Sequence, residues 1–206
     1  MKNIVITQKS LDMVNLIANE IKTFHHHYHI LYDIGSLFNG SINYVEIGCY
    51  AGGSSCLMLQ RENTNVIAID IGYPIKKDVV INNVKKFNTF NNFTYIQGNS
   101  QHKKTIDKLK MSLHNNKIDI LFIDGGHNYN DVIDDFSLYE NLVTSGGFIV
   151  FDDYNDHKFS PEVKSAVDYL VNNKFNNYNI IGTIKNHLKA IPEELEDGNC
   201  FIIQKK

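Results

Sequence analysis

At 206 residues, with 43% hydrophobic content and a formal net charge of −3, the chain has the size of one ordinary domain with a substantial core. That charge balance excludes a broad attraction to nucleic acid or to an anionic membrane, and no apolar run is long enough to cross a bilayer. Cys49, Cys56 and Cys200 are odd in number and lack metal spacing, and Met1–Gln8 has neither the apolar core nor the cleavage site of a signal peptide, so buried thiols in a reducing, cytoplasmic compartment are expected.

Residues 8–38 read as helical. Leu11, Val14, Leu16, Ile17 and Ile21 recur at helical spacing behind Ser10 as a cap, and a second segment runs from about His27 to Leu37. Between them, four histidines fall in five residues (His25, His26, His27 and His29). Only His25 and His29 sit an i, i+4 step apart with no carboxylate or thiol to complete a set, so a polar helix end or pocket wall is expected there rather than a metal. From Asn43 the pattern alternates. Strand Tyr44–Ile47 runs into glycines and a helix Cys56–Gln60 capped by Ser54 and Ser55. Strand Val66–Asp70, helix Lys77–Phe87, strand Phe93–Gln97, helix His102–His114 and strand Ile118–Asp124 follow. Then come helix Asp131–Leu142, strand Gly147–Asp152, and helix Pro161–Asn172 with proline at its first position. Strands Tyr178–Thr183 and Asn199–Gln204 are separated only by a loop carrying Pro192 and Gly198. Such spacing predicts right-handed βαβ units in a mostly parallel sheet with an antiparallel pair at one edge. There is no internal repeat or linker.

Four polar groups fall just after strands, on one edge of that sheet: Glu46–Ser55, Asp70, Gly98-Asn99-Ser100, and Asp124 with Gly125, Gly126 and His127. A strand-end Asp or Gly alone is an ordinary turn residue. Four in register on successive strands point to a ligand site where open α/β sheets bind nucleotides. The dinucleotide fingerprint is broken, because Tyr50 stands where its second glycine belongs. Glu46, two residues before Gly48, would repel a diphosphate and suits a cationic sulfonium amino acid. Asp70 follows Gly48 by 22 residues, a spacing that suits an acid gripping ribose hydroxyls.

Glu46-x-Gly48-x-x-x-Gly52-x-Ser54, Asp70, Gly98-Asn-Ser100 and Phe122-Ile-Asp-Gly-Gly-His127 resemble a class I S-adenosylmethionine-dependent methyltransferase, closest to small-molecule O-methyltransferases of the sugar and antibiotic-tailoring type. The resemblance covers Tyr44 to the C-terminus. It implies an α/β, Rossmann-like, doubly wound, seven-stranded sheet with an antiparallel final strand pair over residues 41–206, with N-terminal helices over 1–40 on the substrate side of the same domain. It also implies S-adenosylmethionine, with Glu46, Gly48, Gly52 and Ser54 around the methionine moiety, Asp70 on the ribose, and Asn99 and Ser100 near the adenine, beside Asp124. The family often has Asp at the position of Asn99, so that contact differs here. Asp124, Asp152 and Asp153 would chelate a divalent ion such as Mg²⁺ at neighbouring strand ends; the alternative is that Asp152 faces the cofactor while Asp153 caps the following loop. His127 is the candidate base for a hydroxyl acceptor. Some sugar-modifying relatives place an acid where Gly126 stands, and His157 is a weaker alternative base. Tyr129, Tyr154 and His27 are candidate pocket walls.

The expected partner is thus a small hydroxyl-bearing molecule, not nucleic acid and not membrane, with the N-terminal helices as a surface for a homodimer. Two rivals stand. An NAD-dependent oxidoreductase on a related sheet is disfavoured by Tyr50 and the helix-free final strands. A non-catalytic cofactor-binding protein is disfavoured by Asp124, His127 and the Asp152–Asp153 pair occurring together. Nucleic-acid methylation is disfavoured by the acidic balance and the absence of an Asn-Pro-Pro-Tyr-like tetrad after the Asp124 strand.

Overall fold

The central strands are buried almost without interruption, because successive side chains point alternately into two helical layers that cover both faces of the sheet. The computed structural model describes residues 4–21, 25–88, 92–184 and 199–206; the loop carrying Pro192 and Gly198 lies outside them. In chain order the elements are α1 (Gln8–Glu20), a short 3₁₀ turn (His26–Tyr28), α2 (His29–Gly35), β1 (Ile42–Ile47), α3 (Gly53–Met58) and β2 (Thr64–Asp70). Next are α4 (Lys77–Phe87), β3 (Asn92–Gln97), α5 (Lys103–Ser112), β4 (Ile118–Ile123) and α6 (Tyr129–Tyr139). β5 (Val143–Phe151), α7 (Val163–Asn173), β6 (Tyr178–Thr183) and β7 (Phe201–Lys205) complete the fold.

The seven strands are ordered β3-β2-β1-β4-β5-β7-β6. The first five run parallel, and β7 runs antiparallel to both β5 and β6. The expected sheet is therefore the observed one. Its order reverses direction between β1 and β4, the switch point at which open α/β sheets leave a crevice beyond the carboxyl ends of their strands. Tyr44, Val66, Ala68, Phe122, Phe148 and Val150 face one layer, with residues of α1, α2, α3 and α4. Val45, Ile67, Leu121, Ile123, Ile149 and Phe151 face the other, with residues of α5, α6 and α7.

Local differences from the expected elements have local causes. Thr7, not Ser10, caps α1: its hydroxyl accepts from the Ser10 N–H at 3.2 Å, while the Ser10 hydroxyl donates to Asp33 of α2 at 2.8 Å. α3 begins at Gly53 behind Gly52 in the left-handed region (φ 82°), so Ser54 and Ser55 stand inside its first turn rather than capping it. α7 begins at Val163, two residues beyond Pro161.

The N-terminal helices are tied down by Arg61. Its Nε donates to the Gly35 carbonyl at 2.8 Å, and Nη2 to the Phe38 and Gly40 carbonyls at 2.9 Å each, so one guanidinium collects the end of α2 and the turn after it. Lysine offers a single point charge in place of that planar fork. Arg61→Lys should lower the unfolding free energy in urea by about 2 kcal/mol; a change within a few tenths would show that the three bonds contribute nothing net.

Candidate functional site

The turn after β1 is shaped by backbone proximity. Gly48 has φ 82°, and a Cβ there would lie 1.9 Å from the Asp124 carbonyl oxygen, so no other residue fits without moving the chain after β4. Tyr50 sits in the left-handed region too (φ 44°), a conformation costly for a bulky residue. The Asp70 carboxylate holds it there. Oδ2 accepts from the Cys49 and Tyr50 N–H groups at 3.0 and 3.1 Å, and Oδ1 from the Gly72 N–H at 2.6 Å. Asp70 thus ties the β1 and β2 ends together where its side chain also lines the cleft.

Glu46 lies beneath this turn and does not line the cleft. It is fully buried, accepting from the Tyr44 hydroxyl at 2.8 Å and from the Ser55 hydroxyl of α3. Gly52 is also outside the cleft lining, and a Cβ there would lie 3.0 Å from Val80 Cγ1 of α4. Gly48, Ser54, Asp70, Asn99, Ser100 and Asp124 do line it. Beyond β3, Asn99 Oδ1 accepts from the Gln101 N–H at 2.8 Å, and the Ser100 hydroxyl donates to Asp135 Oδ1 at 2.7 Å. Burial lifts the Asp135 carboxyl to about 6.

The ends of β4 and β5 carry a second group. Tyr28 donates its hydroxyl to Asp124 Oδ2 at 2.9 Å. Asp124 Oδ1 lies 3.9 Å from His127 Nε2, and Asp153 Oδ2 lies 3.4 Å from the same nitrogen. Ser160 is buried between them, 2.7 Å from Asp153 Oδ2 and 2.9 Å from His127 Nδ1. A hydroxyl has one proton. If it goes to the ionised carboxylate, Nδ1 must be the N–H that donates to Ser160, and neutral His127 keeps its lone pair on Nε2. Asp153 holds φ 57°, and its Oδ1 also accepts from Asn199 Nδ2 at 3.1 Å. The neighbouring Asp124 carboxylate raises the His127 pKa, and burial followed by the Asp152 charge raises that of Asp124.

Asp152 is held apart from this group. Its Oδ1 lies 2.8 Å from His27 Nε2 and 3.4 Å from Cys200 Sγ, and all three residues are buried. Its carboxylate also accepts from the Asp153 backbone N–H. Burial opposes ionisation, yet His27 holds Asp152 below the usual carboxylate range. Among the described residues two sets of donor atoms converge within 4.8 Å: Asp124, His127 and Asp153, and the buried His27, Asp152 and Cys200. The expected donors Asp124, Asp152 and Asp153 are thus divided between the two sets, Asp152 with His27 and the other two with His127. The histidine run divides its work, with His25 on the cleft wall, His27 on Asp152, and His29 turned to Asp33 at 3.3 Å.

The cleft, of about 810 Å³, spans from Tyr73 and Asp70 through Gly48 to Asp124, His127 and Phe159. Of its polar residues, sequence reasoning missed Tyr28, Tyr73, Gln101, Asp131, Asp135, Asp156 and Ser160. Asp135 did carry a signal, since it falls on the apolar stripe of α6 with Val132, Phe136 and Tyr139. Tyr28 and Ser160 carried none: each acts through a neighbour remote in sequence.

A family model described as a methyltransferase domain matches residues 45–154. An uncharacterized protein of Acanthamoeba polyphaga mimivirus is 38% identical over 197 residues, covering 89% of this chain and 88% of that one. Among solved structures, the O-methyltransferase TomG of Streptomyces achromogenes, in complex with SAM, is 12% identical with a TM-score of 0.65, over 97% of this chain and 91% of that one. The MycE methyltransferase of mycinamycin biosynthesis, in complex with Mg, SAH and mycinamycin VI, is 17% identical with a TM-score of 0.60, over 95% of this chain and 54% of that one. An rRNA methylase of Streptococcus thermophilus is 11% identical with a TM-score of 0.59, over 86% and 95%. At these identities the structures share the fold.

Burial raises the Glu46 carboxyl from 4.5 to about 7, above its unfolded value. Its contribution is full below the unfolded pKa and is lost as pH rises through the folded one, a difference of roughly 3 kcal/mol. Glu46→Gln cannot titrate. The variant's unfolding free energy in urea should therefore gain on the wild type by roughly 3 kcal/mol from about pH 4 to about pH 8; a pH-independent difference would refute the assignment.

Proposed function

The chain belongs to the methyltransferase-domain family, and from that premise we propose that it moves a methyl group from S-adenosylmethionine to a hydroxyl of a small molecule, of the sugar or glycoside class that the resemblance implies. One observation carries the reading: a single cleft joins the Asp70-braced turn of β1 and β2 to the Asp124–His127–Asp153 edge of β4 and β5. The volume suits a nucleoside-sized cofactor beside a small acceptor. Gly48 and Ser54 would hold the cofactor at the turn, with Asp70 on its ribose hydroxyls and Asn99 and Ser100 at its base. Glu46, sealed by Tyr44 and Ser55, supports the turn from below rather than touching the methionine moiety. When bound, the cofactor supplies an electrophilic methyl group on a sulfonium.

The protein's part is alignment and proton removal. With Nδ1 donating to Ser160, His127 Nε2 would take the proton from an acceptor hydroxyl as that oxygen receives the methyl group the cofactor would supply. Asp124 and Asp153, 3.9 and 3.4 Å from Nε2, would stabilise the imidazolium that results. The divalent ion implied by the resemblance does not fit the three carboxylates as they stand, because Asp152 is bound by His27, Cys200 and a backbone N–H. No step is therefore assigned to it. Asp124, Asp131, Asp135, Asp152, Asp153 and Asp156 all line the cleft, which supports an acceptor without a phosphate backbone.

Calorimetry with S-adenosylhomocysteine should show saturable binding that weakens at least about tenfold in Asp70→Ala; no binding by the folded wild type would sink the reading. With an accepted substrate, His127→Gln should lower kcat by roughly 10²–10⁴-fold while S-adenosylhomocysteine affinity stays near that of the wild type. A normal kcat would remove His127 as the base.

A further inference from the structure

His27, Asp152 and Cys200 come from three distant parts of the chain: the 3₁₀ turn before α2, the end of β5 and the residue before β7. They meet in the interior, 6%, 4% and 4% exposed respectively. His27 Nε2 lies 2.8 Å from Asp152 Oδ1, and Cys200 Sγ lies 3.4 Å from the same oxygen. One donor atom from each residue falls within 4.8 Å of the other two. An imidazole, a carboxylate and a thiol are the three side-chain types that ligate zinc.

We infer that His27, Asp152 and Cys200 form a buried site for a thiophilic divalent ion, Zn²⁺ by its donor set, separate from the Asp124–His127–Asp153 group. Donor chemistry selects the ion: a thiolate with an imidazole suits zinc, whereas Mg²⁺ prefers oxygen ligands. Spacing agrees. Zinc bonds of about 2.0–2.3 Å hold tetrahedral ligand atoms about 3.3–3.6 Å apart. The Asp152–Cys200 separation is already of that size, and the His27–Asp152 separation need open by only roughly half an ångström. Charge agrees as well. A neutral imidazole, a carboxylate and a thiolate cancel the two charges of the ion, and a neutral site is the kind that burial permits. One atom of the trio lacks a partner: His27 Nδ1 is buried and unpaired among the described residues. A ring buried for one hydrogen bond gains little from it; a ring that ligates through Nε2 gains a coordinate bond. Asp152 also lines the cleft, which gives the ion a way in and a water a place as fourth ligand. Loading releases the thiol proton, and any proton on Nε2, to solvent. The bound ion would pin the N-terminal segment and the start of β7 to the end of β5. The inference goes beyond the methyl-transfer reading and does not rest on it.

The test is Co²⁺ titration of the full chain, stripped of metal by EDTA and kept reduced by a phosphine, followed by absorbance. Co²⁺ stands in for Zn²⁺ and reports its ligands, since a thiolate on cobalt adds a sulfur-to-metal charge-transfer band in the near ultraviolet. The wild type should show that band with saturable binding, and Zn²⁺ should bleach it, because thiolate sites select zinc. Cys200→Ser, or Cys200→Ala if the serine variant does not fold, should lose the band. His27→Gln should weaken Co²⁺ binding at least about tenfold. Circular dichroism confirms that each variant is folded. A folded, reduced wild type without the sulfur band would overturn the inference. So would a band that survives the loss of Cys200, which would place the ion on Cys49 or Cys56. Binding without the band that Asp153→Asn abolishes would overturn it too, by placing the ion on Asp124, His127 and Asp153.

Discussion

The close approach of Gly48 to the Asp124 carbonyl is the constraint from which the site follows. β1 and β4 are adjacent and parallel, but the chain leaves them for opposite layers: α3 packs under one face and α6 under the other. Where the two connections part, the backbones touch at residue 48, and a methyl group there would occupy the space of a carbonyl oxygen. Any side chain would push Asp124 and the Gly125–His127 turn away from the β1 end. The glycine that a sequence reader assigns to ligand approach is needed first to let two strands of the protein meet.

Crowding acids at such a junction sets a second requirement. A buried carboxylate without donors is costly, and breaking a buried pair by removing one partner typically costs about 3–5 kcal/mol. The protein answers with donors specific to each acid. Asp70 takes three backbone N–H groups, Glu46 two hydroxyls, and Asp135 the Ser100 hydroxyl. Asp124 and Asp152 take theirs from Tyr28 and His27. The segment before β1 is therefore part of the electrostatics of the strand ends. Its attachment through Arg61 to the carbonyls after α2 serves the site as well as the fold.

Much of this was legible from periodicity. The apolar runs, the intervening helical patterns and the lack of a crossover before the last strand determine the sheet and its antiparallel edge, and strand-end polarity locates the cleft. Partner choice was not legible. Glu46 reads as a ligand contact from its position two residues before the turn, yet period 2 puts it on the face of Tyr44, under α3. Asp152 and Asp153 read as a pair, but adjacent residues on a strand point to opposite sides, and only Asp153 joins His127. His27 reads from its sequence surroundings as a pocket wall, since the histidine run alone holds no complete metal set. Its partner lies 125 residues away, a distance that no local pattern encodes.

The same carboxylates also hold strain. Tyr50 and Asp153 are non-glycine residues in the left-handed region, at the ends of β1 and β5 respectively. Each such residue costs of order 1–3 kcal/mol and persists only where the surroundings over-determine it. Asp70 fixes the first through the Tyr50 N–H; Ser160 and Asn199 fix the second through the Asp153 side chain. On the proposed reading, the carboxylate that faces the cofactor or the base is then also the clamp on its own turn. Loss of turnover on removing Asp70 or Asp153 therefore mixes chemistry with geometry. His127 is the cleaner probe, because its own backbone is unstrained and its ring is held by side chains that remain when it is replaced.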